Sequence, residues 1–186
     1  MKIKYNAPTV LTFAFISAVV LILNQTVFHG LTKSWFVVGG QGSFFPDSPR
    51  CWVTLFTHVI GHADWNHLIS NFGFILLIGP ILEATYGSRT LLLMIAVTAL
   101  VTGALNTLMF STALLGASGV VFMMILLASF TNFTKGEIPL TFILILVLYL
   151  GRELVNSFRS DNISEFAHII GGFCGSLFGF FRPANR

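Results

Sequence analysis

Charge is scarce in this sequence. Asp, Glu, Lys and Arg make up 9% of its 186 residues, against about a quarter in ordinary soluble domains. With 55% hydrophobic residues and a mean hydropathy of +0.85, that shortage excludes a soluble globule. The few charges sum to +3, which gives no case for nucleic acid as a partner. Cysteine is nearly absent: Cys51 sits in a polar connection and Cys174 in an apolar run, so no disulfide framework is expected. No His-Glu-x-x-His occurs, which removes the usual zinc protease helix. His58 and His62 have helical ligand spacing but no regularly placed acidic partner, so neither metal nor cofactor is expected. Paired charges inside apolar segments and an inverted repeat are also missing, which counts against a small transporter or channel.

What is present is a series of long apolar runs, at about 10–28, 68–86, 91–110, 119–133, 138–154 and 166–181. A hydrocarbon layer takes about 20 helical residues to cross. The expected fold is therefore an all-α membrane protein, a six-transmembrane helical bundle forming one domain over residues 1–186. Lys2 and Lys4 precede the first run as in a signal peptide. The run is longer than a signal core and has no small-residue cleavage site, so it reads as a retained span. Pro80 predicts a kink in the second run. The fourth run is short, which suits a helix whose start is recessed and opens to a water-filled cavity. The connection 29–52 mixes turn formers (Gly39, Gly40, Gly42, Pro46, Pro49) with Trp35, Phe36, Phe44, Phe45 and Trp52. Such an aromatic loop belongs in the membrane interface.

Six spans put both termini on one side. With the termini in the cytoplasm, Lys2, Lys4, Arg89, Lys135, Arg182 and Arg186 lie inside, and Lys33, Arg50, Arg152 and Arg159 outside. That bias follows the positive-inside rule and turns Ser118 toward the outer face.

Ser118 stands in Gly116-Ala117-Ser118-Gly119, at the mouth of the fourth run. A hydroxyl between glycines is easily approached, and the first turn of a helix leaves its N–H groups without intrahelical partners. Those are the parts of a nucleophile with an oxyanion site; small residues also suit close helix packing. His67 and Asn71, four residues apart, share a helical face, and His62 reaches the same region if the helix has begun there. Both His67 and Asn71 can donate hydrogen bonds to a negative oxygen, or to neighbouring helices in a purely structural role. In the sixth run Gly171, Gly175 and Gly179 form a stripe without side chains that lets another helix come close. His168 lies three residues before Gly171, on about the same face. If the fourth span packs there, His168 falls beside Ser118 as the base a serine needs.

From Thr54 to Phe181 the sequence resembles the rhomboid family of intramembrane serine proteases. Three blocks match in order: Phe56-Thr57-His58 with His62, Asp64, His67 and Asn71; Gly116-Ala117-Ser118-Gly119; and Ala167-His168 with the glycines that follow. Residues 83–88, Glu-Ala-Thr-Tyr-Gly-Ser, are similar to the family's acidic turn after the second span. The resemblance implies Ser118 as nucleophile and His168 as general base. It implies an oxyanion hole of His67, Asn71 and the Ser118 N–H, and Phe122 as support for the histidine ring. It further implies single-span membrane proteins as substrates, cut at or near the outer face of a bacterial-type plasma membrane. A catalytically silent relative that binds membrane clients is the alternative; its mark, loss of the serine or histidine, is not found. Two departures stand out. Many members carry a Trp-Arg pair whose Arg ties the outer loop to the residue matching Glu83, but here Trp52 is followed by Val53, with Arg50 the nearest base. Met123 replaces a glycine common in the family, which predicts looser packing of the fourth span on the sixth.

Overall fold

Helix α1 (Pro8–Thr26) begins with a proline, whose fixed φ suits the first helical position, but Ala7 before it has no side-chain acceptor. The cap comes from elsewhere. The carboxylate of Glu83 accepts from the N–H groups of Thr9 at 2.8 Å and Val10 at 3.0 Å. The following helices are α2 (Leu31–Trp35), α3 (Pro49–Thr57), α4 (Trp65–Tyr86), α5 (Ser88–Met109), α6 (Ser118–Ala128), α7 (Leu140–Ile145) and α8 (Ile163–Phe181). They are seen in a computed structural model that describes residues 3–131, 140–145, 147–148 and 163–181. Among the described residues the architecture is all-helical, with one isolated backbone pairing between Val38 and Leu114.

Helices α1, α4 and α5 are long and apolar enough to cross a bilayer. Helix α4 starts three residues before the expected position 68 because Asp64 caps it, its Oδ1 accepting from the His67 N–H at 2.8 Å. This also corrects the idea that the helix has begun at His62. Pro80 lies inside α4, which continues to Tyr86. Gly87, at φ +81°, makes the turn into α5.

The connection after α1 is more helical than expected, since α2 and α3 occupy much of it. Pro49 opens α3 as Pro8 opens α1. Phe28, Trp35, Phe45 and Trp52 remain exposed, as side chains at an interface would be. The loop is held without a Trp-Arg pair. Arg50 Nη2 donates to the Lys33 carbonyl at 3.2 Å, and Trp52 Nε1 donates to the Pro46 carbonyl at 3.0 Å. Glu83 takes no part there; it is engaged by α1.

Helix α6 has 11 residues, about 16 Å at 1.5 Å per residue, half of a hydrocarbon core. It ends at Ala128 rather than 133. Every residue from Gly119 to Leu127 is buried, because α6 is apolar on all faces and is enclosed by α4, α5 and α8. Its most extensive contact is with α8, along the predicted glycine stripe. A Cβ at Gly171 would collide with the backbone of Gly119, one at Gly175 with the backbone of Met123, and one at Gly179 with the ring of Phe130. The looser packing expected from Met123 is therefore overturned: its backbone meets Gly175 while its side chain is buried. Of the expected fifth span at 138–154, residues 140–145 and 147–148 are described; the rest of it and the chain beyond 181 lie outside the described residues.

Candidate active site

The loop into α6 is shaped by Gly116. Its φ of +108° is one that side-chain-bearing residues rarely adopt. A Cβ there would also meet the His67 ring at 2.5 Å and stand 3.7 Å from Asn71 Nδ2. The Gly116 N–H donates to the carbonyl of His58 at 2.9 Å, and Leu114 exchanges two backbone hydrogen bonds with Val38. The loop is thus pinned on one side by α3 and its connection, and rests on the α4 face carrying His67 and Asn71.

Ser118 is the first residue of α6 and is half-buried. The next residue touches α8 directly: a Cβ on Gly119 would lie 3.2 Å from the Ala167 carbonyl. His168 follows Ala167, and its ring stacks on Phe122 with centroids 4.3 Å apart and an interplanar angle of 10°. Phe122 is one turn along α6 from Ser118, so the stacked imidazole is held at the serine's end of the helix pair. Among the described residues the Ser118 hydroxyl makes no hydrogen bond.

Asn71 is buried, and its Nδ2 has no hydrogen-bond partner among the described residues. A buried carboxamide N–H₂ left unpaired costs about 1–3 kcal/mol, so Nδ2 is a donor free to take an acceptor. His62 precedes α4 yet packs edge-on against the His67 ring, centroids 5.0 Å apart. Its Nδ1 lies 3.0 Å from the Ile60 carbonyl, which fixes the ring behind His67. His58 sits between the Thr54 carbonyl and Thr102 Oγ1, each at 3.3 Å from a ring nitrogen. Burial pushes both His58 and His62 down to about 4, so both are neutral at ordinary pH. Because α3 ends at Thr57, these two histidines do not share one helix, and their apparent ligand spacing is not realised.

The residues singled out in the sequence fall into two adjoining groups. Phe122 stacks on His168, and Gly119, the neighbour of Ser118, meets Ala167 and Gly171 where α6 contacts α8; His67 and Asn71 adjoin Gly116. Gly175 and Gly179 lie further down the same helix contact. Three supports went unnoticed in the sequence: the His58 carbonyl, Thr102, and Asn106. Asn106 Nδ2 donates to Gly39 at 3.3 Å and to Thr112 at 3.0 Å, tying α5 to both loops. As polar residues in an apolar run, Thr102 and Asn106 carried the same signal as His67 and Asn71.

The all-helical fold, with three helices long and apolar enough to cross a bilayer and a short buried helix packed on a glycine stripe, defines a multi-pass helical membrane protein. The chain belongs to the rhomboid family: the Rhomboid domain matches residues 49–184, well over half of it. It is similar to the Rhomboid protease GlpG of Haemophilus influenzae, 24% identical over 133 residues that cover 70% of this chain and 69% of that protein.

Proposed function

We propose that this protein is an intramembrane serine endopeptidase working through a Ser118–His168 dyad. The observation that carries the reading is the α6–α8 contact at Gly119, Ala167 and Gly171, which sets a Phe122-stacked imidazole at the serine's end of α6. In the reaction His168 takes the Ser118 proton as Oγ attacks a peptide carbonyl, then returns it to the leaving amine. The oxyanion is met by the Ser118 N–H, by Asn71 Nδ2 and by the His67 ring. Water then cleaves the acyl-enzyme by the reverse of the same proton transfers. No carboxylate orients His168 in this scheme; stacking on Phe122 does so, without the hydrogen bond a tyrosine would add.

The substrates are single-span membrane proteins, cut at or near the outer face. A helical peptide must unwind before its carbonyl can reach Ser118, so segments with helix-weakening residues are favoured. The chain spans a plasma membrane six times with both termini in the cytoplasm. The test is reconstitution into lipid vesicles with a single-span reporter carrying a Gly-Pro-rich outer juxtamembrane segment, products being read by mass spectrometry. The parent should cut within or beside the span and Ser118→Ala should not. Equal cleavage by both, or none by a folded parent, would contradict the assignment; the second result would favour a client-binding role.

A further inference from the structure

Away from the site, α1, α3 and α5 enclose a cavity of about 430 Å³, within the range that holds small ligands. Its walls are apolar: Ile16 from α1, Phe56 and Val59 at the end of α3, and Leu92, Ile95 and Ala96 from α5. The lining runs along α1 from Pro8 to Ile16 and along α5 from Leu92 to Ala99, a rise of about 10–12 Å at 1.5 Å per residue. The end of α3 closes it at the top. Ile16, Phe56 and Leu92 are 44–58% exposed, so the groove opens sideways on the surface that helices α1 and α5 present to lipid.

Among the described residues the exposed charges at its other end are of one sign. Arg89 is exposed and three residues before Leu92, hence on the same face of α5. Lys4, also exposed, lies four residues before α1. Among the described residues the acidic one at that end, Glu83, is buried with both oxygens on α1 N–H groups; Asp47 and Asp64 belong to the opposite end of the helices. An apolar groove that runs along two membrane-crossing helices and ends at two cations matches one kind of molecule.

We infer that the groove between α1, α3 and α5 is an acyl-chain site for an anionic phospholipid whose headgroup meets Arg89 and Lys4. This is independent of the proteolytic reading. Its occupant touches Phe56 and Val59, which flank His58, and the His58 carbonyl holds Gly116. A bound lipid thereby braces the loop that precedes Ser118.

Native mass spectrometry of the detergent-purified full chain tests this with dioleoylphosphatidylglycerol and dioleoylphosphatidylcholine as probes. Each cation near an anionic lipid surface favours binding by about fivefold. The parent should retain phosphatidylglycerol at least fivefold better than phosphatidylcholine. Arg89→Gln should lower that preference about fivefold, while Arg50→Gln, at the other end of the molecule, should leave it unchanged. Ala96→Trp fills the groove and should lower retention of both lipids more than tenfold; if it fails to fold, Ile16→Trp blocks the open side and is read the same way. Equal retention of the two lipids by the parent would overturn the proposal, as would undiminished retention by a folded groove-filling variant.

Discussion

Replacing Gly171 by alanine is the sharpest perturbation of the helix contact. The added Cβ would stand 2.7 Å from the Gly119 carbonyl carbon and 2.9 Å from its Cα, with the carbonyl oxygen nearer still. Relaxed carbon contacts are about 3.5–4.0 Å, and backbone atoms cannot rotate aside as a side chain can. Helix α8 must therefore move off α6 by about 1 Å at this point. Overpacking of this kind costs typically 1–3 kcal/mol. The displacement also carries His168, one turn away, off its stack on Phe122 and off the position the proposed dyad requires, and an error of about 1 Å in a catalytic group can cost about 100-fold in rate. Gly171→Ala should melt lower than the parent and cleave a reporter about 100-fold more slowly. Gly73→Ala is the control: a Cβ there meets nothing within 4 Å, and in a helix it should leave activity alone and stabilise by up to about 1 kcal/mol. Parent-like cleavage and melting by Gly171→Ala would refute the idea that this backbone contact sets the dyad.

Asn71→Ala should lower turnover by roughly 10- to 1000-fold, the scale of one lost oxyanion donor. It should not lower the melting temperature as a broken hydrogen bond would, because Nδ2 has no partner to lose; a large drop would mark Asn71 as structural. Glu83→Ala removes the cap of α1 and should cost about 0.5–2 kcal/mol in thermal melts, with little change in activity of the folded fraction. His58 and His62, held at about 4 by burial, are neutral in the fold but take protons below about 6.5 when unfolded. Stability is thus fully present above pH 6.5 and is lost as pH falls toward 4, by up to about 3 kcal/mol for each group. Melting temperatures flat between pH 7 and 4.5 would contradict that burial.

The apolar runs and the helix contact were legible because both rest on periodicity. Hydrophobic length marks spans, and glycine every four residues marks a close-packed face, so Gly171, Gly175 and Gly179 could be paired with a neighbour before its backbone was seen. The region of residues 29–64 was not legible in the same way. Its helices α2 and α3 are 5 and 9 residues long, too short for a periodic pattern, and Pro49 reads as a turn former although it starts a helix. Long-range polar contacts were also invisible. That Glu83 caps α1 from 74 residues away, or that the His58 carbonyl rather than its ring supports the serine loop, depends on tertiary placement that spacing does not encode. Met123 misled for a related reason, since a side chain larger than glycine need not separate two helices when its backbone is what meets the other helix.

The most direct measurement is labelling by a fluorophosphonate, which reacts covalently with activated serines, on the purified protein beside Ser118→Ala and His168→Ala. The account predicts labelling of the parent alone, with both variants folded by thermal melt. Labelling that persists in Ser118→Ala, or an absence of labelling in a folded parent, would contradict a Ser118–His168 dyad.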